Sequence, residues 1–558
     1  MGHAWWQEKI AYQIYPKSFC DSNGDGIGDL PGICSKLDYL KDLGVDLLWV
    51  SPVYPSPMVD QGYDIADYRA IAPCFGTMGD LERLIQELKE RDMHLIMDLV
   101  VNHCSSQHPW FQEAVRNPEG KYGKYFYLKE GKDGQPPNNW RAEFGGSCWE
   151  RLPGSSLYYF HTFAKEQPDL NWENPEVRQE ICDMVNWWLD KGVSGFRLDA
   201  IVNIKKDLRF LDGPPDAPGG TCDVSKMLPQ DAGIAPFLNQ LKQVCFAPRD
   251  AFTVGEVCGV RQDRLREFGG PEGYFSTLFD FDHCMTTYAG PFWHQRKPFD
   301  FKLWRGTVFQ SQKNAGTEVF LSNILENHDQ PRCASTYLLE TDYSFYSVTA
   351  LATVSLLLRG IPFLYQGQEI GMRNSRFARI EDFDDLSTRD QYQAAVKAGL
   401  TPEQALASCN RTSRDNARTP MPWSGGENAG FTSGTPWLPV NPDYQEINVE
   451  ADAMRPQSVR GYYKKLLALR KDPAWMDVLI YGALQPAFQE ADRLFAYYRT
   501  SETGGKRILV LCNFCPEETV ISFAQPFGVL LDNYGSFERQ NEQIRLKGYQ
   551  AVVLRCNV

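Results

Sequence analysis

Four acidic residues stand within or just beyond apolar runs of strand length: Asp98 in LIMDLV, Asp199 in GFRLDA, Glu256 in TVGEV and Asp329 after FLSNILEN. His103, Arg197 and His328 accompany them. Any one such carboxylate reads as a cap or an ion-pair partner, but four from separate strands point to a shared site. Two carboxyl groups facing each other across a sugar bond are what glycoside hydrolysis requires, one attacking the anomeric carbon and the other protonating the leaving oxygen. Arg197 precedes Asp199 by two residues, so strand alternation turns both to one face, where the cation holds the carboxylate ionised. This suits Asp199 as nucleophile and Glu256 as general acid/base. Asp329, as a nearby third carboxylate, is expected to hold the proton on Glu256 by like-charge repulsion and to stabilise a cationic transition state.

The elements that must present these groups are legible as repeated strand-helix units. Eight runs, 11–16, 47–52, 95–100, 195–200, 253–257, 276–281, 320–327 and 361–367, are continuously apolar, as suits strands buried on both faces. Asn174 and Pro175 then predict a helix start, with Val177, Ile181, Met184, Val185, Trp188 and Leu189 on one face until Gly192. Thr77 with Asp80 resembles a capping box. Eight units close most economically into a (β/α)8 barrel, the α/β class in which catalytic groups stand at the C-terminal ends of strands; an open doubly wound sheet is the alternative. Residues 104–171 are too long for an ordinary loop and predict a small domain inserted after the third strand. The barrel then spans 1–103 and 172–477, interrupted by a polar stretch at 373–430. From 478 to 558 short β-rich runs predict a separate C-terminal β-sandwich.

Composition narrows the function classes. The chain of 558 residues is 43% hydrophobic and 23% charged, as in ordinary globular proteins. Its net charge of −14, without clustered Lys and Arg, argues against nucleic acid. No leader or spanning apolar run is visible, and Trp6 breaks a myristoylation pattern, so a cytoplasmic chain without a membrane partner is expected. Fifteen cysteines, mostly in apolar runs, read as reduced core thiols, including the lone Cys512/Cys515 pair. Trp187 and Trp188 read as helix core. The oligomeric state is open, a monomer sufficing.

The strings DLVVNH (98–103), GFRLDA (195–200), VGEV (254–257) and ENHDQPR (326–332) resemble, in order and spacing, the four signature regions of the α-amylase clan. QPDLNWENP (167–175), DQGYDIADY and RDNARTPMPW resemble its oligo-1,6-glucosidase and α-glucosidase branch. The resemblance implies Asp199 as nucleophile, Glu256 as acid/base and Asp329 as transition-state stabiliser. It implies that His103 and His328 hydrogen-bond glucose hydroxyls, that Asp98 supports the floor, that Asp60 takes hydroxyls of the non-reducing glucose and that Tyr63 stacks on its ring. Arg414 resembles the residue that pairs with Asp60 and closes the pocket, which implies exo-action. In such relatives the residue after the nucleophile tends to be Val in α-1,6-acting enzymes and Ala, Thr or Gly in those cutting α-1,4 bonds or sucrose. Ala200 stands there, and Pro422 stands where relatives carry Gln.

Asp21, Asn23, Asp25, the Ile27 carbonyl and Asp29 fall at positions 1, 3, 5, 7 and 9 of an EF-hand-like loop, with Gly26 at its turn. Hard oxygen ligands at this spacing suit Ca²⁺, with Mg²⁺ as the alternative; Gly32 replaces the bidentate Glu of a true EF-hand. The clan branch carries a structural cation in this loop, so the resemblance implies a bound ion. The function expected is thus a retaining exo-acting α-glucosidase acting on short α-glucosides. Transglucosylation or sucrose isomerisation with the same machinery is the rival within enzymes, and an inactive carbohydrate-binding or transporter-associated homologue the rival of another class.

Overall fold

The computed structural model describes residues 3–217, 219–228, 232–260 and 262–556. Eight strands form its centre: β1 (Ala11–Ile14), β2 (Leu47–Val50), β3 (His94–Val100), β4 (Gly195–Asp199), β5 (Phe252–Gly255), β6 (Thr277–Phe279), β7 (Leu321–Asn323) and β8 (Ile361–Tyr365). They pair in sequence order, and β8 returns to lie parallel to β1, so the sheet is a closed barrel. Each of the eight apolar runs supplies one strand, and closure excludes the open doubly wound sheet. The continuous apolarity has its expected cause: almost every strand residue is buried, inside against the barrel core and outside against helices.

The helix starts are those the sequence encodes. Asn174 caps Pro175–Asp190 by accepting the Glu176 N–H, and Val177, Ile181, Val185 and Trp188 are buried along one face. Thr77 and Asp80 exchange reciprocal bonds ahead of Met78–Glu90. Cys512 and Cys515 are buried free thiols, and Trp188 is core.

After β3 the chain leaves the barrel for a three-stranded antiparallel sheet, in which Leu157–Phe160 lies between Leu128–Glu130 and Trp149–Arg151. The segment following β4 also enters this region. Cys222–Asp223 pairs in parallel with Trp140–Arg141, and Phe210 and Val224 pack with Tyr127, Trp140, Trp149 and Phe160. Two loops from neighbouring strands therefore share one apolar core. Lys206 ties them to the barrel: its ammonium bonds Asp169 at 2.7 Å and Asn102 Oδ1 at 2.8 Å, with Lys206 and Asp169 fully buried. Burial lowers the Lys206 pKa, and Asp169 opposes that shift.

The stretch 373–430 carries helices Leu386–Lys397 and Pro402–Thr412 and a short turn, Asp415–Arg418, that comes back over the barrel mouth. At the C-terminus, Ala483–Pro486, Leu494–Thr500, Arg507–Asn513, Ala551–Cys556 and Phe527–Asp532 form an antiparallel sheet, and three shorter strands form a second. Residues from both sheets share an apolar cluster that includes Leu494, Leu509, Ile521, Ile544 and Val552. No helix among the described residues is long and apolar enough to cross a membrane.

Removing one partner of a buried ion pair leaves the other charge uncompensated, at a cost of about 3–5 kcal/mol. Lys206→Met should therefore lower the urea midpoint and speed proteolytic cleavage between residues 104 and 171; an unchanged midpoint would show that Lys206 does not anchor the insert.

Candidate active site

Strand register, more than any side chain's own preference, assembles the site. Asp98 on β3 lies directly across from Arg197 on β4, and Val100 across from Asp199. On the other flank Gly255 pairs with Leu198, and Glu256, the next residue, donates its N–H to the Leu198 carbonyl at 3.1 Å. Arg197 therefore sits between carboxylates on three adjacent strands. Its Nη1 bonds Asp98 Oδ1 at 2.5 Å and Asp199 Oδ1 at 2.6 Å, while its Nη2 bonds Glu256 Oε2 at 2.9 Å. The same Glu256 oxygen accepts the Ala200 N–H at 2.8 Å. Ala200 holds φ 43° and ψ 33°, a left-handed conformation that costs an alanine on the order of 1 kcal/mol or more.

Asp98 is completely buried and forms the floor, taking the Trp49 indole N–H at 2.8 Å and the Tyr63 hydroxyl at 3.2 Å on Oδ2. Tyr63 lies parallel to the His328 ring, centroids 5.2 Å apart, and its hydroxyl meets His328 Nε2 at 2.6 Å. Gln13 occupies His328 Nδ1 at 2.8 Å. His103 Nε2 lies 3.0 Å from the Tyr63 carbonyl oxygen and 3.1 Å from the Gln167 amide, whose nitrogen also donates to Asp60 at 3.2 Å. Arg414 bridges Asp60 and Asp329 at 3.2 and 3.1 Å and is itself held by buried Asp385 at 2.5 Å. Arg418 adds a second bond to Asp329 at 3.1 Å. A cavity of about 360 Å³ is bounded by Asp60, Tyr63, His103, Asp199, Glu256, Asp329 and Arg414. The structure thus brings all nine carbohydrate-site candidates together, six of the seven cavity-lining ones named here bearing an ionisable side chain other than tyrosine.

The charges follow from this crowding. Burial is the largest influence on Asp199 and pushes its carboxyl up; Arg197 opposes it, and the negative charges of Glu256, Asp98 and Asp329 reinforce it. Asp98 is pushed up by burial in the same way, against Arg197. One cation thus faces three carboxyls, so Arg197 only partly offsets the burial of Asp199 and Asp98, and the expectation that it alone holds Asp199 ionised is weakened. Asp329 behaves oppositely: burial favours its neutral form, but His328, Arg414, Arg418 and Arg197 hold it below the ordinary carboxylate range. Since burial lowers His328 to about 3, the imidazole is neutral at pH 7 and the arginines do the holding. Asp329 is therefore largely offset by two guanidiniums, which weakens the like-charge role expected of it.

Several participants carry weaker sequence signals. Arg418 lies in the RDNARTPMPW string four residues after Arg414, one helical turn on. Gln13 is a lone polar residue in an apolar strand, and Gln167 opens QPDLNWENP. Glu143, Phe144 and Phe163 reach the cavity from the insert, with Phe144 5.2 Å from the Arg414 guanidinium; only the tertiary path of the insert reveals them.

The loop 21–29 lies apart from this cavity. Asp21, Asn23 and Asp25 each accept the amide N–H two residues on, at 2.9 Å, a run of three Asx turns. Asp21 also accepts the Thr432 hydroxyl, and these bonds together hold it ionised against its burial. Asp29 caps Leu30–Cys34 through the Gly32 N–H. Among the described residues no group of three or more His, Cys, Asp or Glu side chains is arranged to hold a metal.

A His whose folded pKa is depressed binds fewer protons than in the unfolded chain, so its neutral form contributes stability above about pH 6.5 that is lost as pH falls toward 3. The stability margin of the wild type over His328→Gln should shrink between pH 7 and pH 5 in urea melts; a constant margin would remove His328 as the titrating group.

The model of the alpha-amylase catalytic domain matches residues 13–479. The chain is 42% identical to an oligo-1,6-glucosidase of Parageobacillus thermoglucosidasius over the full length of both proteins. It is 39% identical to the trehalose-6-phosphate hydrolase of Escherichia coli over 98% of each. The crystal structure of isomaltulose synthase from Klebsiella sp. LX3 superposes with a TM-score of 0.94 at 37% identity, covering both chains completely. With the barrel, the register-built carboxylate cluster and a match over most of its length, the chain belongs to the α-amylase family of glycoside hydrolases.

Proposed function

We propose that the protein is a retaining, exo-acting α-glucosidase of short neutral α-glucosides. The observation that carries this is the Arg197 guanidinium shared between Asp199 and Glu256 beneath a cavity closed at one end by the Asp60–Arg414 pair. A non-reducing glucose seated against that pair places its anomeric carbon over Asp199. Asp199 attacks the anomeric carbon as the glycosidic bond breaks, while a proton passes from Glu256 to the departing oxygen. Glu256, now ionised, takes a proton from water, whose oxygen displaces Asp199 and releases α-glucose. Asp98 is too buried to reach the sugar, and its part is to orient Arg197 and Tyr63.

The wall charges argue for a neutral leaving group. Asp60, Glu143, Asp199, Glu256 and Asp329 line the cavity, and Arg414, the basic residue among the lining groups, is committed to Asp60, Asp329 and Asp385. A phosphorylated sugar would meet net negative charge. The oligo-1,6-glucosidase relatives favour α-1,6 bonds, whereas Ala200 beside Asp199 favours α-1,4 bonds or sucrose. The likeness to isomaltulose synthase keeps sugar isomerisation as a second reading, in which the released fructose rather than water intercepts the glucosyl-Asp199 intermediate. All fifteen thiols are free, which supports a reducing cytosol. We propose Ca²⁺ as a structural ion for the loop 21–29, on the strength of the spacing of its oxygen-bearing residues in the sequence.

Asp199→Asn should abolish turnover with the fold intact, and proton NMR of wild-type hydrolysis of a nitrophenyl α-glucoside should show α-glucose first; β-glucose as first product refutes retention. With sucrose, free glucose and fructose indicate hydrolysis, and a new glucosyl-fructose indicates isomerisation. Chelation of calcium should lower the melting temperature, and an unchanged melt removes the ion.

A further inference from the structure

Glu143 enters the catalytic cavity from the inserted domain, next to Phe144. Its position is fixed by the backbone, since its N–H bonds the Thr162 carbonyl at 3.0 Å. Water reaches the side chain through the cavity, yet protein crowds it elsewhere: burial pushes the carboxyl up to about 7, Asp223 adds to this, and Arg141 opposes it. Arg141 is already committed to Asp216 and Asp223 at 3.0 and 3.2 Å. None of the hydrogen bonds or ion pairs among the described residues engages the Glu143 carboxyl. Glu143 is exposed to the cavity, so its carboxyl is open to a hydroxyl donor that enters there.

Its neighbours identify the donor. The Asp60–Arg414 pair closes the end that receives the non-reducing glucose, whereas the Glu143 carboxyl feels Asp223 and Arg141, where the insert pairs with the segment after β4. Asn203 and Ser225 of that segment line the same cavity, as does Cys258 beyond Glu256. With a glucose seated at the Asp60–Arg414 end, this wall would face the departing oxygen. Resting on the glucosidase reading, we propose that Glu143 is a specificity-determining residue that accepts hydroxyls of the departing sugar, so that the cavity selects a neutral, hydroxyl-bearing leaving group. Phe144 supplies the apolar surface beside it.

The test compares isomaltose and maltose with a nitrophenyl α-glucoside, whose leaving group carries no hydroxyl. For Glu143→Gln, kcat/KM on the better disaccharide should fall about 10- to 100-fold, the range for a lost hydrogen bond to a charged group, while the nitrophenyl substrate changes less than about threefold. The disaccharide-to-nitrophenyl ratio of kcat/KM in the wild type should rise with pH through about 7, as the carboxylate forms, and be flat in Glu143→Gln. Glu143→Asp should recover part of the loss. An equal loss on both substrates, or a pH-independent wild-type ratio, overturns the assignment. A wild type that cleaves neither substrate class overturns the glucosidase reading and this inference with it, whereas nitrophenyl cleavage with an unaltered disaccharide rate in Glu143→Gln sinks this inference alone.

Discussion

One guanidinium sets the terms for everything else at the barrel mouth. Arg197 is 1% exposed and bonds carboxyls from three consecutive strands, so its charge is the counterweight that lets acidic groups gather where water is scarce. Without it, burial and mutual repulsion would act on these carboxyls unopposed. With it, negative charge still exceeds positive, so burial continues to push Asp199 and Asp98 up against its pull. The closed barrel is what makes the arrangement possible. Only adjacent strands in fixed register place Asp98 beside Arg197 and bring Glu256, just past the Gly255–Leu198 pair, level with Asp199, and slipping one strand by a residue would turn its group to the opposite face.

Around this centre the chain builds walls from parts that are distant in sequence. Asp60 from the loop after β2, Asp329 after β7 and Arg414 and Arg418 from the stretch before the last barrel helices meet in one ion network. The buried Asp385 holds Arg414 from behind, so the cation is oriented before any sugar arrives. Lys206 does the same for the opposite wall by locking the segment after β4 and the insert onto the end of β3. Rigid positioning from both sides suits a reaction whose barrier depends on charge placement.

The barrel was legible because burial on both faces forces each strand into a continuous apolar run, and the acidic residues interrupting or following those runs marked the open end. Asn174, Thr77 and their partners announced helix starts through chemistry local in sequence. The walls were less legible, since their residues acquire meaning only from tertiary contacts. Trp49 reads as core and is core, yet its indole also bonds Asp98. Phe210 and Val224 follow β4 with no strand or helix pattern of their own, and nothing before the fold is known ties them to an insert that begins after β3. Asp329 lines the cavity as the strand pattern suggested, but the two arginines that offset it alter its electrostatic part. Where a signal is a period or a cap the sequence carries it; where it is a cross-chain pair, it does not.

The left-handed backbone at Ala200 links two properties usually treated as separate. Its amide is a ligand of the Glu256 carboxyl, and its methyl faces the sugar cavity beside Asp199. A bulkier, β-branched side chain here would change the shape offered to the linkage and also press the φ of 43° toward commoner values. The amide would then shift, and with it the oxygen it steadies. Reshaping the cavity at this position therefore disturbs the Glu256 carboxyl as well, so exchanges here should travel with compensating changes in the loop after β5.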